Sequence, residues 1–169
     1  DRFNVFASWG EPTVVLTTHM DAVPPFFPSS ETADAIRGRG ACDAKGIAAA
    51  MISAIEALVA ERHSGFGLLF VVAEETDSLG ARIANQNPRG SRFLIDGEPT
   101  ENRLVLGHNG TLFYEVHAEG RASHSAYPER GCSAIDALLS ALERLRGVPL
   151  PSDPLLGPTT FNIGKIAGG

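Results

Sequence analysis

Two adjacent carboxylates, Glu74 and Glu75, follow the apolar start of VVAEET (residues 71–76), with a third acid, Asp77, just behind. On a surface hairpin such a pair is ordinary, because a solvated Glu costs little. Other acids give it more point. His19 and Asp21 lie in HMD, Asp43 in GRGACDAKG and Glu98 in GEP, each at the end of an apolar or helical stretch. If those ends meet, five carboxylates and one imidazole share one space. Like charges brought that close cannot all ionise without a cation, and a metal is the largest local charge available. The donors are N and O only, which suits zinc in an open site, with Co2+ or Mn2+ as alternatives. A ligating His also needs a carboxylate or carbonyl on its second ring nitrogen, and Asp21, two residues on, is the candidate.

Elements of defined length must deliver these groups. TVVLTTH (13–19), GLLFVVAEE (67–75) and RFLIDGEP (92–99) are each an apolar run ending in an acid or a potential ligand. Near-continuous apolar runs of this length suit strands buried on both faces of a parallel or mixed sheet. Between the first two, DAKGIAAAMISAIEALVAER places Ile47, Met51, Ile55 and Leu58 at helical spacing, with Asp43 where an N-cap belongs. The result is a βαβ rhythm, in which sites form at the carboxyl ends of the strands.

After Glu98 the texture changes. ENRLVLGHNG (101–110) is polar and contains glycine, and TLFYEVHAEG (111–120) alternates in the manner of a half-exposed antiparallel strand. A helix is expected from Ser133, with Ser133 and Asp136 as a capping pair and Ile135, Leu138, Leu139, Leu142 and Leu145 as its apolar stripe. GVPLPSDPLLGP reads as a loop and TFNIGKI as a second strand. The expected fold class is therefore α/β: a mostly parallel sheet flanked by helices over residues 1–106, followed by a partial α+β domain over 107–169.

Composition narrows the function classes. The 169 residues are 43% hydrophobic and 20% charged, the balance of an ordinary globular chain, and no apolar run reaches membrane-span length. A net charge of -6 argues against non-specific nucleic-acid binding. Cys42 and Cys132 are far apart and form no CxxC pair, so a reducing cytoplasm is the expected compartment. DRFNVFASWG has neither a signal-peptide pattern nor an initiator Met, and NIGKIAGG stops without a closing element, which suggests a fragment. GRGACDAKG is not a phosphate loop, since Lys45 precedes Gly46, and HExxH and GxSxG are absent. Cys42 is expected to be a small buried residue rather than a nucleophile.

HMDAVP, GRGACDAKG, AEETDSLGA, IDGEPT and GRASHSAYPERG, in that order along essentially the whole chain, resemble the dinuclear zinc metallopeptidases that include acetylornithine deacetylase, succinyl-diaminopimelate desuccinylase, aminoacylase and carboxypeptidase G. The resemblance implies a zinc-exopeptidase-like catalytic domain and a lid that dimerises. It implies two Zn2+ per complete site, with His19, Asp43 and Glu98 around one metal and Asp43 bridging to a second that Glu75 also binds. Asp21 would orient His19, Glu74 would be the general base, and His124 of ASHSAYP would donate to the oxyanion, often in the partner subunit's site. The second metal's last histidine lies beyond residue 169 in the family; His63, His108 and His117 match no such motif. Ala44 stands where the family commonly has Met, a change expected to be tolerated. The implied activity is amidohydrolysis of an N-acyl amino acid, acetylornithine deacetylase-like. The alternatives are a carboxypeptidase or dipeptidase of the same family, or a truncated non-catalytic scaffold that dimerises. The expected partners are a small N-acyl amino acid or short peptide and a second copy of the chain, with no nucleic acid and no membrane.

Overall fold

The computed structural model describes residues 2–168. The chain divides into two compact units, Asp1–Leu104 and Val105–Gly169. The first holds the central sheet. Its elements in chain order are β1 (Val5–Trp9), β2 (Val14–His19), two-residue strands β3 (Ser30–Glu31) and β4 (Ile36–Arg37), α1 (Ile47–Ala60), β5 (Phe66–Val71), α2 (Leu79–Asn85) and β6 (Phe93–Asp96). The four-stranded sheet has the order β1-β5-β2-β6. Its β2–β5 and β2–β6 pairs are parallel and its β1–β5 pair is antiparallel. The mostly parallel sheet expected from the apolar runs is present, with an antiparallel edge strand, β1, that the sequence reading did not anticipate.

Burial follows position in that order. The central strands β2 and β5 are covered on both faces, and Met51 of α1 packs with Leu68 and Phe70 over Trp9, Leu16, Met20, Ile47 and Ala48. Edge strand β6 is exposed along its length, with Phe93, Leu94 and Ile95 more than half accessible. A continuous apolar run therefore does not fix burial on both faces. The run reports what a strand can cover, and the neighbour decides what is covered.

Three local expectations are corrected. The run GLLFVVAEE is not one strand to its end: β5 stops at Val71, and Glu74 and Glu75 lie on the turn beyond it. Asp43 does not cap α1, whose N-cap position is Gly46 with no side-chain cap. Asp43 lies instead in a kinked single-turn π segment, Ala41–Gly46, where it (φ -116°, ψ 95°) and Ala44 (φ -129°, ψ 28°) leave helical geometry. Cys42 is exposed rather than buried, because that turn points outward at it, whereas its neighbour Ala44 is fully buried.

The second unit contains a 3-10 turn at Pro128–Arg130, α3 (Ala134–Arg146), β7 (Ser152–Asp153) and β8 (Gly157–Pro158). The capping pair is in place, with the Asp136 N–H donating to Ser133 Oγ at 3.1 Å. The strands expected over 111–120 and 160–166 do not form among the described residues. Alternation supplies a face, but a strand also needs a neighbour for its N–H and C=O groups. Pairing in this unit is limited, among the described residues, to β7 with β8 and to the Arg121–Cys132 bridge.

Candidate metal centre

Register brings the carboxyl ends of the parallel strands level. His19 ends β2 opposite Val71 of β5, and Thr17 sits opposite Asp96 at the end of β6. The segment after β6 is tied to β2, with the Gly97 N–H on Thr17 O at 2.9 Å and the Thr18 hydroxyl on Gly97 O at 2.8 Å. Gly97 has no room for a side chain, because a Cβ there would collide with Ile47 and Met51 of α1. That close approach sets Glu98 beside the end of β2.

His19 is the buried centre of the cluster, at 1% exposure. Its Nε2 lies 2.6 Å from Asp43 Oδ1 and 3.9 Å from Glu98 Oε2. Its Nδ1 donates to the backbone carbonyl of Asp21 at 3.1 Å, with the Asp21 carboxylate farther away at 3.6 Å. The second ring nitrogen is therefore held by a carbonyl more closely than by the carboxylate that the HMD spacing suggested. Oriented this way, Nε2 faces the acids. One ligand atom from each of His19, Asp43 and Glu98 falls within 4.8 Å of the other two.

The Asp21 carboxylate has another task. Its two oxygens accept the backbone N–H groups of Glu74 and Glu75, each at 3.1 Å. The tip of the acidic turn is thereby held to the loop after β2. Lys45 steadies the same loop, its ammonium donating to Met20 O at 3.2 Å. Nothing in the spacing of Lys45 signals that bond, which depends on the fold bringing residue 45 back over residue 20.

Electrostatics in the cluster favour positive charge. Burial opposes the His19 imidazolium, but the hydrogen bond to Asp43 and the charges of Glu98, Asp43 and Glu74 outweigh it and raise its pKa. Burial pushes Glu98 up to about 7, against the attraction of His19 and with the help of Asp96, Glu74 and Asp43. Glu74, although its side chain is exposed, is raised too, by partial desolvation from its neighbours first, with His19 opposing and Glu75, Asp21 and Asp43 adding to the rise. One nitrogen and two carboxylate oxygens, two of whose three owners hold protons above their usual range, fit a divalent cation such as Zn2+ in chemistry and in number for an open site.

Not every expected residue joins this cluster. Glu74 is exposed and acts on it through charge, and Glu75 lies beside it on the turn. His124 belongs to the second unit, where its Nδ1 accepts the Ala126 N–H at 3.1 Å and its ring lies 6.0 Å from that of Tyr127. With Nδ1 accepting, the neutral ring carries its proton on Nε2. His63, His108 and His117 are exposed.

Comparison with known proteins gives this arrangement its context. Residues 15–163 match the model of peptidase family M20/M25/M40. A peptidase M20 domain-containing protein of Schizosaccharomyces pombe is 46% identical over 99% of this chain and 44% of its own length. A probable carboxypeptidase of Aspergillus terreus is 44% identical over 100% of the chain and 44% of its own length. The chain thus spans less than half of each of these relatives. The crystal structure of a tripeptidase from Staphylococcus aureus superimposes with a TM-score of 0.62 at 21% identity, covering 98% of this chain and 47% of that one, a likeness of fold.

Proposed function

The chain belongs to peptidase family M20/M25/M40, and from that premise we propose that it carries the metal-binding part of a hydrolase that breaks an amide bond beside an amino acid. The convergence of His19, Asp43 and Glu98 carries this reading. Those three residues would hold one divalent ion, zinc before cobalt or manganese, and Asp43 and Glu75 would contribute to a second. Such an ion, when bound, polarises the scissile carbonyl and acidifies water. Glu74 takes the proton from the attacking water and returns it to the leaving nitrogen. Its raised pKa suits both halves of that transfer. Asp21 sets the direction of the Glu74–Glu75 turn through two N–H groups. His124, its proton on Nε2, is the proposed donor to the oxyanion, in the arrangement where the lid of one subunit serves its partner.

The carboxypeptidase names of the relatives favour release of a C-terminal residue from a short peptide. Removal of an N-acyl group, acetylornithine deacetylase-like, is the second reading, favoured by the order of motifs from HMDAVP to GRASHSAYPERG. Residues 107–169 are proposed as part of a lid and dimerisation domain, which the half-exposed apolar stripe of α3 supports. Light scattering that finds only monomer would remove that assignment. A cytoplasmic location is proposed from the two free cysteines; no helix of the described residues is long and apolar enough to cross a membrane.

The test is zinc-loaded protein offered dipeptides, tripeptides and N-acetyl amino acids, with liberated amine as the readout. The expected result is hydrolysis of at least one peptide, abolished by a chelator and restored by zinc. Turnover confined to N-acyl substrates would select the second reading. No turnover, with metal bound, would leave the non-catalytic scaffold.

A further inference from the structure

We propose that Asn4 is a positioning residue for the Glu74–Glu75 pair, acting at the neck of the turn that carries them. The proposal rests on the hydrolase reading for what the pair does, and on geometry for the hold itself. The Val72 N–H donates to Asn4 Oδ1 at 3.2 Å, Asn4 Nδ2 donates to Gly80 O at 2.7 Å, and the Gly80 N–H donates to Val72 O at 3.0 Å. Together these bonds close a ring across the two ends of segment 72–80. Asn4 reaches it from 68 and 76 residues away in sequence and is part-buried there. A primary amide can accept from one arm of the turn and donate to the other at once, which neither Ala nor an ionised Asp can do.

The neck has no slack. A Cβ on Gly80 would collide with Val72 O, Asn4 Oδ1 and Val72 N. Inside it the chain reverses through Ala73 (φ 59°) and Ser78 (φ 53°), left-handed conformations that non-glycine residues keep only where the surroundings hold them. Asp21 holds the tip through the Glu74 and Glu75 N–H groups, and Asn4 holds the base. Two anchors from separate parts of the chain, just before β1 and just after β2, fix the direction of two neighbouring side chains that have different tasks. With Asn4 removed, the base keeps only the Gly80 N–H bond to Val72 O of its three bonds, and the turn gains freedom to pivot about the tip that Asp21 holds.

The experiment compares wild type, Asn4→Ala and Asn4→Asp with Ile55→Val, a buried α1 control that loosens the core without touching the turn. Amide exchange is followed in the metal-free chain, and zinc affinity and kinetics in the loaded one. In Asn4→Ala, amides 72–80 exchange about tenfold faster or more while those of β2 hold their rate. Zinc affinity and kcat fall about 10–100-fold, with KM within about twofold. Asn4→Asp keeps the acceptor for Val72, loses the donor to Gly80, and falls between; it decides the matter by the same readouts if Asn4→Ala does not fold. Exchange in 72–80 equal to wild type, or raised only in step with the rest of the molecule as in the control, would overturn the proposal. A wild type without hydrolysis would remove the hydrolase reading, while the exchange measurement still decides whether Asn4 holds the turn.

Discussion

The His19–Asp43–Glu98 cluster and the Glu74–Glu75 turn both present carboxylates at the same end of one sheet, yet they are positioned by different means. The cluster takes His19 from the end of β2, where register fixes it, and Glu98 from just beyond β6, where Gly97 is bonded to Thr17 and Thr18, and His19 is nearly inaccessible. The turn lies beyond the end of β5 and is set by side chains reaching its backbone: Asp21 at its tip, Asn4 at its base. On the proposed roles, His19 and Glu98 would hold their ion from positions set by the sheet, while Glu74 would move its proton from a segment with separate supports.

If that contrast is sound, removing the Glu74 side chain alone should separate chemistry from metal binding, whereas loosening the turn's supports should weaken both. The largest effect is expected from Glu74→Ala, which lowers kcat by about 10²–10⁴-fold and leaves the metal content of the His19 cluster unchanged. Steady-state kinetics with elemental analysis on the same samples reads both quantities; a loss of metal in step with activity would break the distinction. Asp21→Ala should cost about 10–100-fold in activity or zinc affinity, because it frees the turn and loosens the loop after His19. Asp21→Asn keeps one accepting oxygen and should recover part of the loss. Equal defects in the two variants would mean that charge, not the two accepted N–H groups, is what matters.

A smaller effect is expected in the stability of the metal-free chain. Glu98 and Glu74 hold protons above the ordinary carboxylate range, so the folded state binds more protons than the unfolded one and loses stability as the pH rises, for Glu98 up to about 7. His19, also raised, contributes stability that is fully present below its unfolded pKa and is lost as the pH rises through the folded value. All three push in one direction. The melting temperature of chelator-treated protein should fall between about pH 5 and about pH 8, and added zinc should reverse the trend because it displaces those protons. A melting temperature that rises with pH in the absence of metal would contradict the electrostatics of the cluster.

Much of the first unit was legible in its letters. The apolar runs that form β2 and β5, the helical spacing of α1 and the acids after the strands all lie where pattern and packing agree. Asn4 was not legible, because a lone polar residue before a short strand has no periodicity and its partners lie 68 and 76 residues away. The shape of the Asp43 turn was hidden too, since its residue types suit a helix start while its backbone leaves helical geometry. In the second unit the alternation over 111–120 was genuine, but the pairing that would turn it into a strand depends on a neighbour the pattern does not encode.

The accessible β6 has a colloidal consequence. Phe93, Leu94 and Ile95 form a short, apolar, β-prone stretch on a sheet edge, the geometry through which separate molecules add strand to strand. Arg92 and Asp96 bracket it, with the Arg92 guanidinium 5.6 Å from the Phe93 ring. Charges in those places act as gatekeepers against stacking. The chain's solubility should therefore depend on salt, which screens those two flanking charges along with the rest of the charged surface, with turbidity rising as ionic strength grows.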